Sequence, residues 1–156
     1  MVRYIALTST HLAVLALGFL LGLYYLPILA APEAPTQAEV SAMAQVASYT
    51  ARFRRDLKGS DMMHWGEGEL AVGPRAISLM GQLAPGPTYK LYLTREYVDT
   101  AADFQRVKPQ ATLVGDIKTF DNFMLAVPPG VDVAAHAGVV VWCESFQRFI
   151  TSARYR

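Results

Sequence analysis

From Tyr4 to Ala31 the chain has no Lys, Arg, Asp or Glu, and within that span Leu12–Leu29 is an almost unbroken apolar run. In hydrocarbon, backbone N–H and C=O groups must be satisfied within the segment, so a single run of this kind must be helical. A bilayer core takes about 20 apolar residues as helix. The apolar core of a secretory signal peptide is shorter, about 7–15 residues, and ends in small residues. Here the run ends Ile28-Leu29-Ala30-Ala31, with a bulky residue three places before either cleavage point. An uncleaved anchor is therefore favoured over a cleaved signal peptide. No cysteine stands directly after the run, which excludes a bacterial lipoprotein anchor. Gly18 and Gly22 form a Gly-x-x-x-Gly pair. It would let two membrane helices approach, or is ordinary glycine content of such a helix.

Cation placement sets the expected orientation. Arg3 precedes the run, and no Lys or Arg follows until Arg52. The positive-inside rule then keeps the N-terminus in the cytoplasm and exports the rest, to the periplasm or the cell exterior. Tyr24 and Tyr25 fall near the outer interface, where amphipathic rings are favoured. The expected division is 1–31 for the cytoplasmic N-terminus and anchor, 32–48 for a linker with a short helix, and 49–156 for one globular domain.

The charge balance excludes one class of partner. Lys and Arg number 14 against 13 Asp and Glu, and no basic stripe exists, so nucleic-acid binding is not expected. Arg52, Arg54 and Arg55 read as a solvated strand face. The single cysteine forbids an internal disulfide and removes the paired Cys-x-x-Cys of thioredoxin-like enzymes and the Cys-x-x-Cys-His attachment of c-type haem. A haem held without covalent attachment stays open. There is no Gly-x-Ser-x-Gly elbow, no His-Gly-Cys signature and no His-x-x-x-His or carboxylate cluster, so neither hydrolysis nor a zinc site is expected. Whether the domain is an enzyme stays open.

Beyond the run, Thr36 with Glu39 has capping-box spacing, predicting a helix over 37–48 with Val40, Met43, Ala44 and Ala47 on one face. It would either pack on the domain or hold it off the membrane. The period then drops to two. Strands are predicted at 49–54, 65–72, 76–83, 89–94, 110–114 and 120–127, with Gly/Pro turns between, and one or two more within 139–155. Short strands at such spacing predict an all-β, antiparallel sandwich or barrel-like domain. The glycines alternating through Gly66-Glu67-Gly68 permit close approach of another backbone or a ligand.

Val139-Val140-Val141-Trp142-Cys143 is a strong strand former. Alternation places Val139, Val141 and Cys143 on one face and Val140, Trp142 and Glu144 on the other. The Cys143 thiol is the candidate redox group; its other reading is a small buried core residue, as free cysteines often are.

Several segments resemble the DM-thirteen, or electron-transfer DM, domain family. The nearest likeness is 138–153, Gly-Val-Val-Val-Trp-Cys-Glu-Ser-Phe-Gln-Arg-Phe-Ile-Thr-Ser-Ala, similar to that family's closing motif. Gly86-Pro-Thr-Tyr-Lys-Leu-Tyr-Leu93 resembles its central strand. Gly115-Asp-Ile-Lys118, Val127-Pro-Pro-Gly-Val-Asp132 and His64-Trp-Gly-Glu-Gly68 resemble its other landmarks. The likeness spans about Tyr49 to Tyr155, in a single-pass membrane-anchored bacterial form. It implies an all-β extracytoplasmic domain with a redox or electron-transfer role centred on Cys143. The cysteine would act as a bare thiol or as ligand to a prosthetic group such as haem, with a redox partner protein.

His64 is the candidate partner of Cys143, as a base that lowers the thiol pKa or as a second ligand; otherwise it is a turn histidine. The Met62-Met63-His64 run offers soft donors suited to copper, or methionines that fill a loop. Trp65 and Trp142 are candidates to line a cofactor site, against the commoner role of such rings as core anchors. No cofactor at all is the remaining alternative. Against the redox reading stands a non-catalytic envelope binding or scaffold module in which Cys143 only packs.

Overall fold

The computed structural model describes all residues, Met1–Arg156. Helix α1, Val2–Leu29, contains the apolar run and has no buried residue. It is the one helix long and apolar enough to cross a membrane. Its polar side chains bond to their own backbone: Thr10 Oγ1 donates to the Ala6 carbonyl at 2.6 Å, and His11 Nδ1 lies 2.7 Å from the Leu7 carbonyl.

Helix α2, Gln37–Ala44, opens with the expected capping box between Thr36 and Glu39. It ends before the predicted boundary because the chain tightens into a turn, with the Val46 and Ala47 amides bonding back to Met43 and Ala44. Val40 is fully buried, so α2 packs on the domain.

Eight strands follow: β1 Tyr49–Phe53, β2 Gly66–Val72, β3 Ala76–Leu83, β4 Tyr89–Thr94, β5 Thr112–Ile117, β6 Asp121–Ala126, β7 Gly138–Cys143 and β8 Arg148–Arg154. They form two antiparallel sheets, ordered β1-β2-β3-β6 and β5-β4-β7-β8. The sheets face each other as a sandwich, and the barrel alternative falls because they do not join into one closed sheet. The inward residues of both, among them Phe53, Leu70, Leu79, Leu91, Val139, Val141 and Cys143, make one continuous core.

Each sheet also has a covered outer face. On the first, α2 lies over β2 and β3, with Ser78 Oγ of β3 3.2 Å from Met43 Sδ. On the second lies a helix not foreseen from periodicity, α3, Ala101–Val107. Its start carried a readable signal: Thr100 caps it, accepting from the Asp103 amide, three residues on. Phe104 of α3 stacks on Trp142 at 5.0 Å between centroids and on Tyr92 at 5.3 Å.

Gly68 of β2 and Gly81 of β3 serve backbone approach. Gly68 has φ +130, and a Cβ there would stand 2.3 Å from the Met80 carbonyl oxygen; one at Gly81 would stand 2.1 Å from that of Glu67.

Candidate functional site

The thiol sits at one end of the sandwich, where β7 finishes beside the start of β4. Tyr89 is the register partner of Cys143 across these strands. The junction is clamped by the Pro87-Thr88 turn: the Glu144 amide donates to the Thr88 carbonyl at 3.1 Å, and the Ser145 amide to Thr88 Oγ1 at 2.9 Å. Cys143 is 2% exposed. Its Sγ donates to the Pro87 carbonyl at 3.1 Å.

A cleft of about 330 Å³ opens against this junction. Cys143, Tyr89, Pro87, Phe146 and Ile150 line it from the sandwich, His64 and Trp65 from the β1–β2 loop, and Leu20, Leu23 and Tyr24 from α1. Gly86 is needed here because the Tyr89 hydroxyl would lie 2.4 Å from a Cβ at that position. Burial first, and then the neighbouring Cys143 sulfur, push the Tyr89 phenol above its ordinary range.

His64 is held by Asp61, whose Oδ2 is 2.8 Å from Nδ1. The Met63 and His64 amides donate to Asp61 Oδ1 at 2.7 and 2.8 Å. Burial alone would raise the Asp61 carboxyl, but hydrogen bonds from the His64 ring and these amides outweigh it, and it lies below the usual carboxylate range. The arrangement fixes the ring by Nδ1 and leaves Nε2 without a protein partner, as a carboxylate orients a ligating histidine.

Of the candidate residues, Cys143, His64 and Trp65 therefore share one cleft, and Trp142 does not. It is fully buried on the opposite face of β7, beneath α3, in a separate apolar cluster with Tyr92, Val98, Phe104, Val140 and Phe149. Adjacent residues of a strand point to opposite faces, so sequence neighbours are separated by the sheet. Trp65 carries the Arg55 guanidinium 3.3 Å above its ring. His136 stands apart, its nitrogens 2.9 Å from the Asp132 carbonyl and 3.0 Å from Thr112 Oγ1. Glu67 pairs with Arg55 and Glu144 with Lys108.

Sequence reasoning missed Tyr89 and Pro87 as parts of the site. Both belong to a plain Pro-Thr-Tyr stretch, and only strand pairing brings them to the sulfur.

A comparison with protein-family models matches residues 36–155 to the family described as Electron transfer DM13. The chain belongs to this family. The match begins at the α2 cap and runs through β8, so α2 lies inside the DM13 segment and α1 outside it. No curated protein and no solved structure matches the chain. In this DM13 domain the lone thiol is thus a buried hydrogen-bonded group at the wall of an apolar cleft that an imidazole also reaches.

The donors suit some groups better than others. No three His, Cys, Asp or Glu side chains converge, so a chelated metal ion has no cage here. One carboxylate-oriented imidazole beside an apolar cleft is a donor that a haem, if bound, would use.

Proposed function

We propose that the chain is a membrane-anchored, extracytoplasmic electron-transfer module in which Cys143 is the redox centre and His64 its partner. The division is an anchor over 1–31, a linker with α2 over 32–48, and the β domain over 49–156. In this reading the N-terminus is cytoplasmic and a redox protein docks on the exported domain. The observation that carries it is that the only sulfhydryl and an oriented imidazole line one cleft; membership of the DM13 family supports it.

Chemically, the cleft supplies an apolar wall that excludes water, the Pro87 carbonyl to hold the thiol proton on Sγ, and His64 Nε2 as an acceptor or ligand. Were a haem bound, His64 Nε2 and Cys143 Sγ would be the residues to ligate it and Trp65 would flank it. Such a group supplies one-electron exchange when present. Without a cofactor, the thiol itself is the reacting group, once deprotonated.

The test is to purify the full chain from its native membrane and record its absorption spectrum and redox titration, beside Cys143→Ser and His64→Ala. A titratable signal that Cys143→Ser abolishes and His64→Ala shifts, with unchanged circular dichroism, is the expected result. Equal behaviour of wild type and Cys143→Ser overturns it. A second reading, a non-catalytic binding module with Cys143 as packing, is favoured by the 2% exposure of that residue, and that negative result would put it ahead.

A further inference from the structure

The rim of the cleft is apolar and unusually bare. Met62 is 91% exposed, Met63 64% and Phe146 53%. They come from two loops, β1–β2 and β7–β8, yet border the same opening as Leu20, Leu23 and Tyr24 of α1. Surface methionines and a phenylalanine grouped beside an apolar helix need a partner that is itself apolar.

The length of α1 indicates which partner. Its 28 residues at about 1.5 Å each reach about 42 Å, against a hydrocarbon core of about 30 Å. If the core is filled from the N-terminal side, beginning at Tyr4, about 20 residues carry the helix to Leu23. Tyr24 and Tyr25, edge-to-face at 5.2 Å, then fall at the interface, where such rings are favoured. The residues of α1 that border the cleft are the ones at that boundary.

We propose that the Met62, Met63 and Phe146 rim docks on the outer bilayer surface, so that the cleft opens onto lipid. The partner is the membrane that holds α1, through its acyl-chain boundary. This rests on the anchor reading of α1. A ligand of the cleft then arrives from the lipid phase, and the docked rim shields Cys143 from water.

Trp65 reports on this directly, because it lines the cleft whereas the only other tryptophan, Trp142, is fully buried under α3. The full chain is reconstituted in phosphatidylcholine vesicles brominated close to the headgroup. Docking predicts loss of the Trp65 share of the emission, no quenching in Trp65→Phe, and recovery of emission in Met62→Asp/Met63→Asp. That double variant changes only exposed side chains and still sediments with vesicles after an alkaline wash. Sedimentation without quenching, or equal quenching in the double variant, overturns the docking and leaves the anchor standing. Protein released by the wash overturns the anchor and the docking together.

Discussion

The Cys143 thiol donates to the Pro87 carbonyl at 3.1 Å across 56 residues of sequence. The bond ties the end of β7 to the turn before β4 and holds the proton on sulfur beside the cleft. Access must then come through motion of the rim. Maleimide labelling of the native chain is expected to be at least about tenfold slower than in urea, the ratio that about 1.4 kcal/mol of local opening gives. Phe146→Ala, which strips the rim, is expected to raise the native rate. Timed mass spectrometry measures both.

Trp142 is buried with its indole Nε1 unpaired, so its worth is packing against Phe104 rather than hydrogen bonding. Truncation to Ala should cost about 3–5 kcal/mol. Trp142→Phe should cost far less, because it also removes a buried donor whose desolvation is worth about 1–3 kcal/mol. Urea unfolding of the two variants checks the order; equal losses would mean that the indole N–H is satisfied in solution.

Glu144 accepts from Lys108 Nζ at 2.7 Å, from the Tyr92 hydroxyl and from Gln147. Burial works to raise its carboxyl, but the hydrogen bonds from Lys108 and Tyr92 outweigh it and the group lies below its ordinary value. A depressed carboxylate contributes stability above its unfolded pKa of about 4.3, lost as pH falls through the folded value. Glu144→Gln should therefore cost about 1–2 kcal/mol at neutral pH, and the gap from wild type should close below about pH 4. At the alkaline end, burial first and then the Glu144 hydrogen bond raise the Tyr92 phenol. Wild-type stability should fall above about pH 10, where unfolded tyrosine ionises first. Denaturation midpoints across pH give both limbs.

Gly68 and Gly81 are register partners in β2 and β3. A methyl group at Gly81 meets only backbone, at 2.1 Å from Glu67 O and 2.6 Å from Gly68 Cα. Gly81→Ala should cost on the order of 1–3 kcal/mol as stored strain and lower the melting temperature by several degrees. Calorimetry reads this; an unchanged melting temperature would show that the two strands separate freely there.

Much of the architecture follows from local pattern. An unbroken apolar run has one backbone solution, and period-two alternation with Gly/Pro breaks marks strands, so α1 and the strand order of events were legible in the chain. Ala76–Leu83 and Tyr89–Thr94 fall where alternation predicts. The start of β5 slipped by two residues because Lys108–Gln110 form a tight turn that periodicity does not register. Helix α3 escaped because seven residues carry too little periodicity, although its Thr100 cap is readable.

Residue type and alternation alone determined that Cys143 is the sole thiol, that it points inward with Val139 and Val141, and that Trp142 points the other way. What lies beside each was decided by tertiary structure. Pairing of β7 with β4 set Tyr89 and Pro87 against the sulfur, and the β1–β2 loop swung His64 and Trp65 to the same cleft. The β4–β5 connection, through α3, buried Trp142 on the far face. Strand direction is a property of neighbouring residues, whereas strand partnership is settled by how two whole sheets bury their inner faces, which no local stretch encodes.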